Sequence, residues 1–271
     1  MIDIVLKKRE IDFQAFVKRS AKEEDCTQII REPSRIIDQD TGEVVVIYGQ
    51  VSRESQELFR ALRTVKYPVT ERTGGLKTTS RIFGAMPRIA LRSDFCRMAG
   101  LAKDSPQANA LLLKWGLEAE KLYAEHSPER YARHKGLTEK VLGEYRMVNT
   151  VFTSGIVNKN NPLKYHFDSG NFEDVFSCMI GFKEGIVGGY LAMPEYNCML
   201  EIANYSVSLF DGQKILHGVT PMTKLDESAN RFTIVFYSLK QLWNCKPMGE
   251  ELARIRKLKT ERERKRLKPA V

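Results

Sequence analysis

The chain has 271 residues, 42% of them hydrophobic and 28% charged, a composition that supports a packed core and excludes wholesale disorder. It contains no run of eighteen apolar residues, and its N-terminal MIDIVLKKREIDF is too charged for a signal peptide, so a folded cytoplasmic protein with no membrane partner is expected. The formal net charge is +9, but residues 252–271 hold nine Lys or Arg against two Glu, so most of the excess sits in one terminal stretch.

Along the chain, DQDTGEVVVIYG (38–49) pairs a turn-forming Asp-Thr-Gly run with a β-branched strand. SRESQELFRALRTVKY then reads as a helix capped at Ser52, with Leu58, Ala61, Leu62 and Val65 on its apolar face. VTERTGGLKTTSR (69–81) is rich in Thr and Gly and reads as a loop. Between Ser105 and Leu142 two helices are expected, because Ser-Pro steps at 105–106 and 127–128 each place a proline at a first helical position. His126 and His134 fall there without a carboxylate at ligand spacing and are read as surface or packing residues.

From Tyr145 the texture changes to short β-rich runs separated by Gly, Pro and Asn, which indicates an antiparallel sandwich or barrel. The division is therefore an N-terminal α/β supporting region (1–104), a helical brace (105–144), a β core (145–245) and a basic C-terminal tail (246–271). The five cysteines, 26, 96, 178, 198 and 245, form no CxxC pair and are expected to be reduced and structural. The tail reads either as a solvated terminal helix or as an arm that meets phosphates.

His166 and Asp168, in PLKYHFDSGNF, lie two apart and so on one side of a strand, where they could share an ion. His217, in LHGVTP, supplies a third ligand of the 2-His-1-carboxylate type. That set leaves open positions on a six-coordinate Fe(II), with zinc as the competing ion. In NRFTIVFYS, alternation puts Arg231, Thr233 and Val235 on one face and Phe232, Ile234 and Phe236 on the other. An inward Arg with a nearby hydroxyl suits a carboxylate.

With NKNNPLKYHFDSGNF, GGYLAMPEY, LFDG, LHGVTP and RFTIVFY in this order, the stretch from Tyr145 to Tyr237 resembles the Fe(II)/2-oxoglutarate dioxygenases, and within them the TET and J-binding-protein group that hydroxylates pyrimidine methyl groups. The resemblance implies a double-stranded β-helix, a jelly-roll or cupin-like core in a mainly β (α+β) fold with flanking helices. It implies His166, Asp168 and His217 as iron ligands, with Arg231 and Thr233 on the distal carboxylate of the 2-oxoglutarate co-substrate and O2 as the oxidant. Asn158, Asn160 and Asn171 match recurrent motif asparagines and are candidate substrate contacts. The chain lacks the cysteine-rich segment of animal TET enzymes and is similar in compactness to the J-binding-protein hydroxylases and to short bacteriophage or bacterial members.

The implied substrate is 5-methylcytosine in DNA, with thymine as the nearest alternative. Because a C5-methyl in the stack is out of reach of a sunken metal, a flipped base is expected on a duplex. Phe167, Phe172, Tyr190 and Tyr196 are candidate pocket aromatics, and Arg72, Lys77, Arg81 and Arg88 candidate backbone contacts. RNA, a nucleoside or a protein side chain is a second substrate class, and a non-catalytic binding module is the alternative from a different class.

Overall fold

In a computed structural model, residues 1–51, 56–72, 76–89 and 94–266 are described, without the side chains of 70–72, 76, 77 and 265. Two sheets face each other. The larger has ten strands, in the order β1 (Ile2–Leu6), β3 (Ser34–Asp38), β4 (Val44–Gln50), β14 (Ser206–Phe210), β10 (Ser177–Glu184), β17 (Asn230–Tyr237), β8 (Ser154–Lys159), β6 (Leu76–Met86) and β5 (Val69–Arg72), with β7 (Arg97–Met98) also on β6. The smaller has five, in the order β2 (Gln28–Ile30), β13 (Cys198–Leu200), β12 (Leu191–Met193), β15 (His217–Val219) and β9 (Leu163–His166). A separate pair joins β11 (Ile186–Gly188) to β16 (Met222–Lys224). The two facing sheets form a jelly-roll core.

Period-two alternation builds the layers. On β17, Phe232, Ile234 and Phe236 leave the barrel and pack with Cys178, Ile180 and Phe182 of β10 against helices α2 (Gln56–Thr64) and α4 (Pro106–His126). Fully burying each such side chain contributes roughly 1.5–3 kcal/mol. The opposite faces of the two sheets meet around Val46, Met179, Leu191 and Val219, with Val235 packed against them. Arg231, Thr233 and Val235 thus share the interior-facing side, as the alternation predicts.

The helices start at Pro106 and, for α5 (Pro128–Thr138), at Pro128, matching the two Ser-Pro signals. The expected cap at Ser52 lies outside the described residues. The turn before β4 is held by Asp38, whose Oδ1 accepts the amides of Asp40 (2.9 Å) and Thr41 (3.0 Å).

Two expectations are corrected. Residues 69–72 and 76–81 are strands, not a loop, because β6 pairs along β8 from Ser80 to Gly84 and β5 pairs with β6. Cys96 and Cys245 are not free thiols but a disulfide; they are 149 residues apart and meet only through tertiary packing. Cys26, Cys178 and Cys198 are free and buried, with thiols raised by burial, to about 11 for Cys26.

N-terminal strands extend both sheets: β4 pairs antiparallel with β14, and β2 runs parallel to β13. Lys18 and Arg19 pair through their backbones with Tyr165 of β9, next to α1 (Phe13–Phe16). α3 (Leu101–Asp104) leads into α4, and α6 (Met248–Arg266) closes the described chain. Among the described residues no helix is long and apolar enough to cross a membrane.

Candidate active site

His166 ends β9 and His217 begins β15, and these two residues are direct cross-strand partners. Their ring centroids are 4.4 Å apart. Asp168 follows two residues after His166 and is fixed by its own amide, which donates to Gly212 O at 2.8 Å. Its Oδ1 then lies 3.7 Å from His166 Nε2 and 3.9 Å from His217 Nε2, and one ligand atom from each residue falls within 4.8 Å of the others.

The orientation of both rings follows from their other nitrogens. Nδ1 of His166 is 2.8 Å from Lys164 O, and Nδ1 of His217 is 2.9 Å from Ile215 O. A carbonyl only accepts, so Nδ1 carries the proton in each ring and the Nε2 lone pair turns toward Asp168. This is the outer hydrogen bond that metal-bound imidazoles use. Burial lowers the His217 pKa, and His166 beside it lowers it further, so the neutral, ligating form is favoured.

Glu195 holds the approach to His217. Its carboxylate is fully buried, accepts the Leu216 amide at 2.6 Å and pairs with Lys8 at 2.8 Å. The Pro194–Tyr196 turn is clamped further, since Arg9 Nε donates to Pro194 O at 3.1 Å and the Tyr196 hydroxyl to Asp38 at 2.9 Å.

Arg231 is 1% exposed and has no acidic partner among the described residues. Nη1 donates to Gly189 O at 2.7 Å and Nη2 to Asn161 O at 2.8 Å, while Nε has no hydrogen-bond partner. Burial lowers its pKa to about 10, still charged at neutral pH. A buried guanidinium held only by carbonyls is incomplete until an anion joins it. Thr233, also buried, lies on the same face of β17, with its Oγ1 3.5 Å from Asn158 Nδ2.

The three motif asparagines have different surroundings. Asn158 is buried among Ser80, Asn161 and Thr233. Asn160 accepts the Arg231 amide at 2.6 Å and donates to Asn230 at 3.1 Å, pinning the start of β17. Asn171 donates to Ser177 Oγ at 3.1 Å and forms a bridge to Leu239. Phe172 and Tyr196 are buried packing residues, while Phe167 and Tyr190 are partly exposed. Arg81 pairs with Asp104 and Arg88 with Glu251, so both have intramolecular partners. The side chains of Arg72 and Lys77 lie outside the described residues. His134 is fully buried and His126 partly so, away from the triad.

Sequence reasoning misses the supports. Asn161, which accepts the Thr79 amide and presents its carbonyl to Arg231, stands next to a motif asparagine and carries no signal of its own. Glu195, Gly189 and Gly212 lie inside the family-like motifs, but nothing in one sequence marks which motif residue touches the site.

The donor set fits Fe(II): two imidazoles and a carboxylate converge and leave coordination positions open. The anion-deficient Arg231 fits a dicarboxylate co-substrate. Fold and site together define a jelly-roll oxygenase. The family model Tet_JBP, the oxygenase domain of the 2OGFeDO superfamily, matches residues 92–240, more than half of the chain, and the protein belongs to this TET/JBP family of oxygenases that depend on Fe(II), 2-oxoglutarate and O2.

The chain is 29% identical over 118 residues to the bifunctional helicase and thymine dioxygenase JBP2 of Trypanosoma brucei brucei (strain 927/4 GUTat10.1). That match covers 44% of this chain and 11% of JBP2, so it spans about a tenth of that relative. Among solved structures, NgTET1 in complex with 5mC DNA superposes with a TM-score of 0.62 at 16% identity, covering 90% of this chain and 84% of the other; the likeness is one of fold.

Proposed function

We propose that the enzyme hydroxylates the C5-methyl group of a pyrimidine base in DNA, converting 5-methylcytosine to 5-hydroxymethylcytosine. The observation that carries this reading is the joint geometry of the converging His166, Asp168 and His217 and the buried, acid-free Arg231, in a chain of the TET/JBP family. The 5mC DNA bound by NgTET1 supports the substrate class.

In this reading His166, Asp168 and His217 hold Fe(II). Arg231 takes the distal carboxylate of 2-oxoglutarate, and Thr233 adds a hydrogen bond to it. The bound iron supplies O2 activation coupled to oxidative decarboxylation of 2-oxoglutarate and insertion of one oxygen atom into a C–H bond. The protein's part is to orient both reactants and to hold the two imidazole rings with their Nε2 atoms inward. His166 and Asp168 are about one-third exposed and His217 is 8% exposed, so the site opens on the His166–Asp168 side. A duplex substrate therefore presents its base extrahelically, at a cost of roughly a few kcal/mol offset by pocket contacts.

Thymine is the second reading, favoured by JBP2, whose name is that of a thymine dioxygenase. Nucleoside mass spectrometry of 5-methylcytosine-containing duplex DNA, after incubation with the enzyme, Fe(II), 2-oxoglutarate, ascorbate and air, separates the two. A gain of one oxygen on 5-methyldeoxycytidine, absent with His166→Ala, is expected. A gain on thymidine alone would transfer the assignment to thymine, and succinate release without change in either base would move the substrate out of DNA.

A further inference from the structure

α6 is anchored over its first two turns and free beyond them. Glu251, fully buried, accepts the amides of Cys96 (3.3 Å) and Lys246 (3.1 Å) and the guanidinium groups of Arg254 (3.3 Å) and Arg88. Ile255 is buried beside it, and the Cys96–Cys245 disulfide ties the approach to the helix to the body. From Arg256 onward every described side chain except the half-buried Leu258 is exposed. Arg256, Lys259, Arg262 and Arg266 form no ion pair with a described residue.

A solvated charge run is the ordinary explanation for such a segment. Two features argue for more. At 100° per residue those four cations fall within an arc of about 120°, which also holds Glu263, and the helix rises about 15 Å from 256 to 266, the axial rise of roughly four phosphates of one strand. The base of α6 also belongs to the hydrophobic cluster that carries the loop after Asp168. Phe172, four residues past Asp168, packs with Cys245 and Cys96 in that cluster and stacks on Trp243 at 4.8 Å. The rod is thus fixed to the same packed unit as a metal-site carboxylate.

We propose that the exposed half of α6 lies along the phosphate backbone of duplex DNA while a base occupies the active site. This rests on the proposed DNA substrate. It adds affinity without base preference, because phosphate contacts position a duplex and do not read it.

The test is fluorescence anisotropy of a 5-methylcytosine duplex across a salt series, with the wild-type 271-residue chain, an Arg256→Gln/Lys259→Gln/Arg262→Gln/Arg266→Gln variant, and a Glu261→Gln/Glu263→Gln variant. The first variant should bind at least tenfold more weakly at low salt, with the log–log salt slope shallower by about 0.9 for each phosphate that the helix no longer neutralises. The second should bind a few-fold more tightly. All six positions are exposed and Gln is a good helix former, so thermal midpoints should match wild type. Wild-type binding and oxidation of DNA with the same affinity and slope in all three proteins would overturn the role of α6 alone. A wild type that neither binds nor oxidises duplex DNA would overturn the DNA reading itself. Loss in the variant of binding to anionic vesicles, but not to DNA, would also overturn the proposal, in favour of a lipid surface.

Discussion

The backbone of Gly189 closes directly over the guanidinium of Arg231. Its carbonyl accepts from Nη1 at 2.7 Å, its φ is +72°, and a Cβ built on it would stand 2.5 Å from the same nitrogen. Only glycine meets both the conformation and the space. Gly189→Ala is therefore expected to displace the arginine, to cost about 1–3 kcal/mol of stability, and to raise the 2-oxoglutarate KM at least tenfold. Succinate release against 2-oxoglutarate concentration reads the effect. Arg231→Lys should behave similarly, since one ammonium cannot serve two carbonyls and a carboxylate in fixed geometry. An unchanged KM in both variants would remove Arg231 from the co-substrate site.

Gly212 stands in the same relation to Asp168. A Cβ there would meet Asp168 Oδ2 at 2.2 Å and His217 Cε1 at 3.2 Å, while the Gly212 carbonyl holds the Asp168 amide. Gly212→Ala should weaken metal binding about 10–100-fold with the fold retained, and Asp168→Ala should abolish turnover. Titration with Co(II), followed by its absorption bands, measures the first. Full affinity in Gly212→Ala would mean that the carboxylate is not fixed by this contact.

Glu195 acts on the metal site through Leu216. Glu195→Ala removes the acceptor of a buried amide one residue before His217 and leaves Lys8 unpaired, so a loss of about 1–3 kcal/mol in stability and roughly tenfold in metal affinity is expected. Glu195→Gln keeps an oxygen for Leu216 and should restore most of the metal affinity. If Gln and Ala lose metal equally, the charge opposite Lys8 is the operative feature and not the hydrogen bond.

Much of this site was legible from spacing. The i, i+2 step puts His166 and Asp168 on one side, and alternation along 230–237 turns Arg231 inward, because strand geometry repeats every two residues whatever the context. The supports were not legible. Lys8 reaches Glu195 across 187 positions and Cys96 reaches Cys245 across 149, distances over which local pattern carries no information. The strand pair β5–β6 was hidden for a related reason: the Thr-Gly-Gly between them reads as a break, and β6 is specified by the neighbouring edge of β8. The contribution of the N-terminal segment, which lines the β9 edge through Lys18 and Arg19 and clamps the Pro194–Tyr196 turn, likewise exists only in the folded chain.

His134 gives the fold a proton-dependent weakness away from the metal. Its Nε2 is 2.8 Å from Ser238 Oγ, which itself donates to Val151 O at 2.8 Å, so the imidazole donates from Nε2 and its Nδ1 has no partner among the rings of Tyr123, Phe152 and Phe172. Burial lowers its pKa from 6.5 to about 3. Between those values the unfolded chain binds a proton that the folded one does not, so stability falls as pH drops through this window, by at most about 1.4 kcal/mol per pH unit. Above pH 6.5 the contribution is fully present. His134→Gln keeps an N–H for Ser238 and removes the titration, so its urea-unfolding free energy should decline less steeply than wild type from pH 6.5 to 4, whatever its value at pH 7.5. Taking the difference between the two proteins cancels the other histidines. Parallel pH profiles would show that water or a shifted ring satisfies Nδ1 and that His134 titrates normally in the fold.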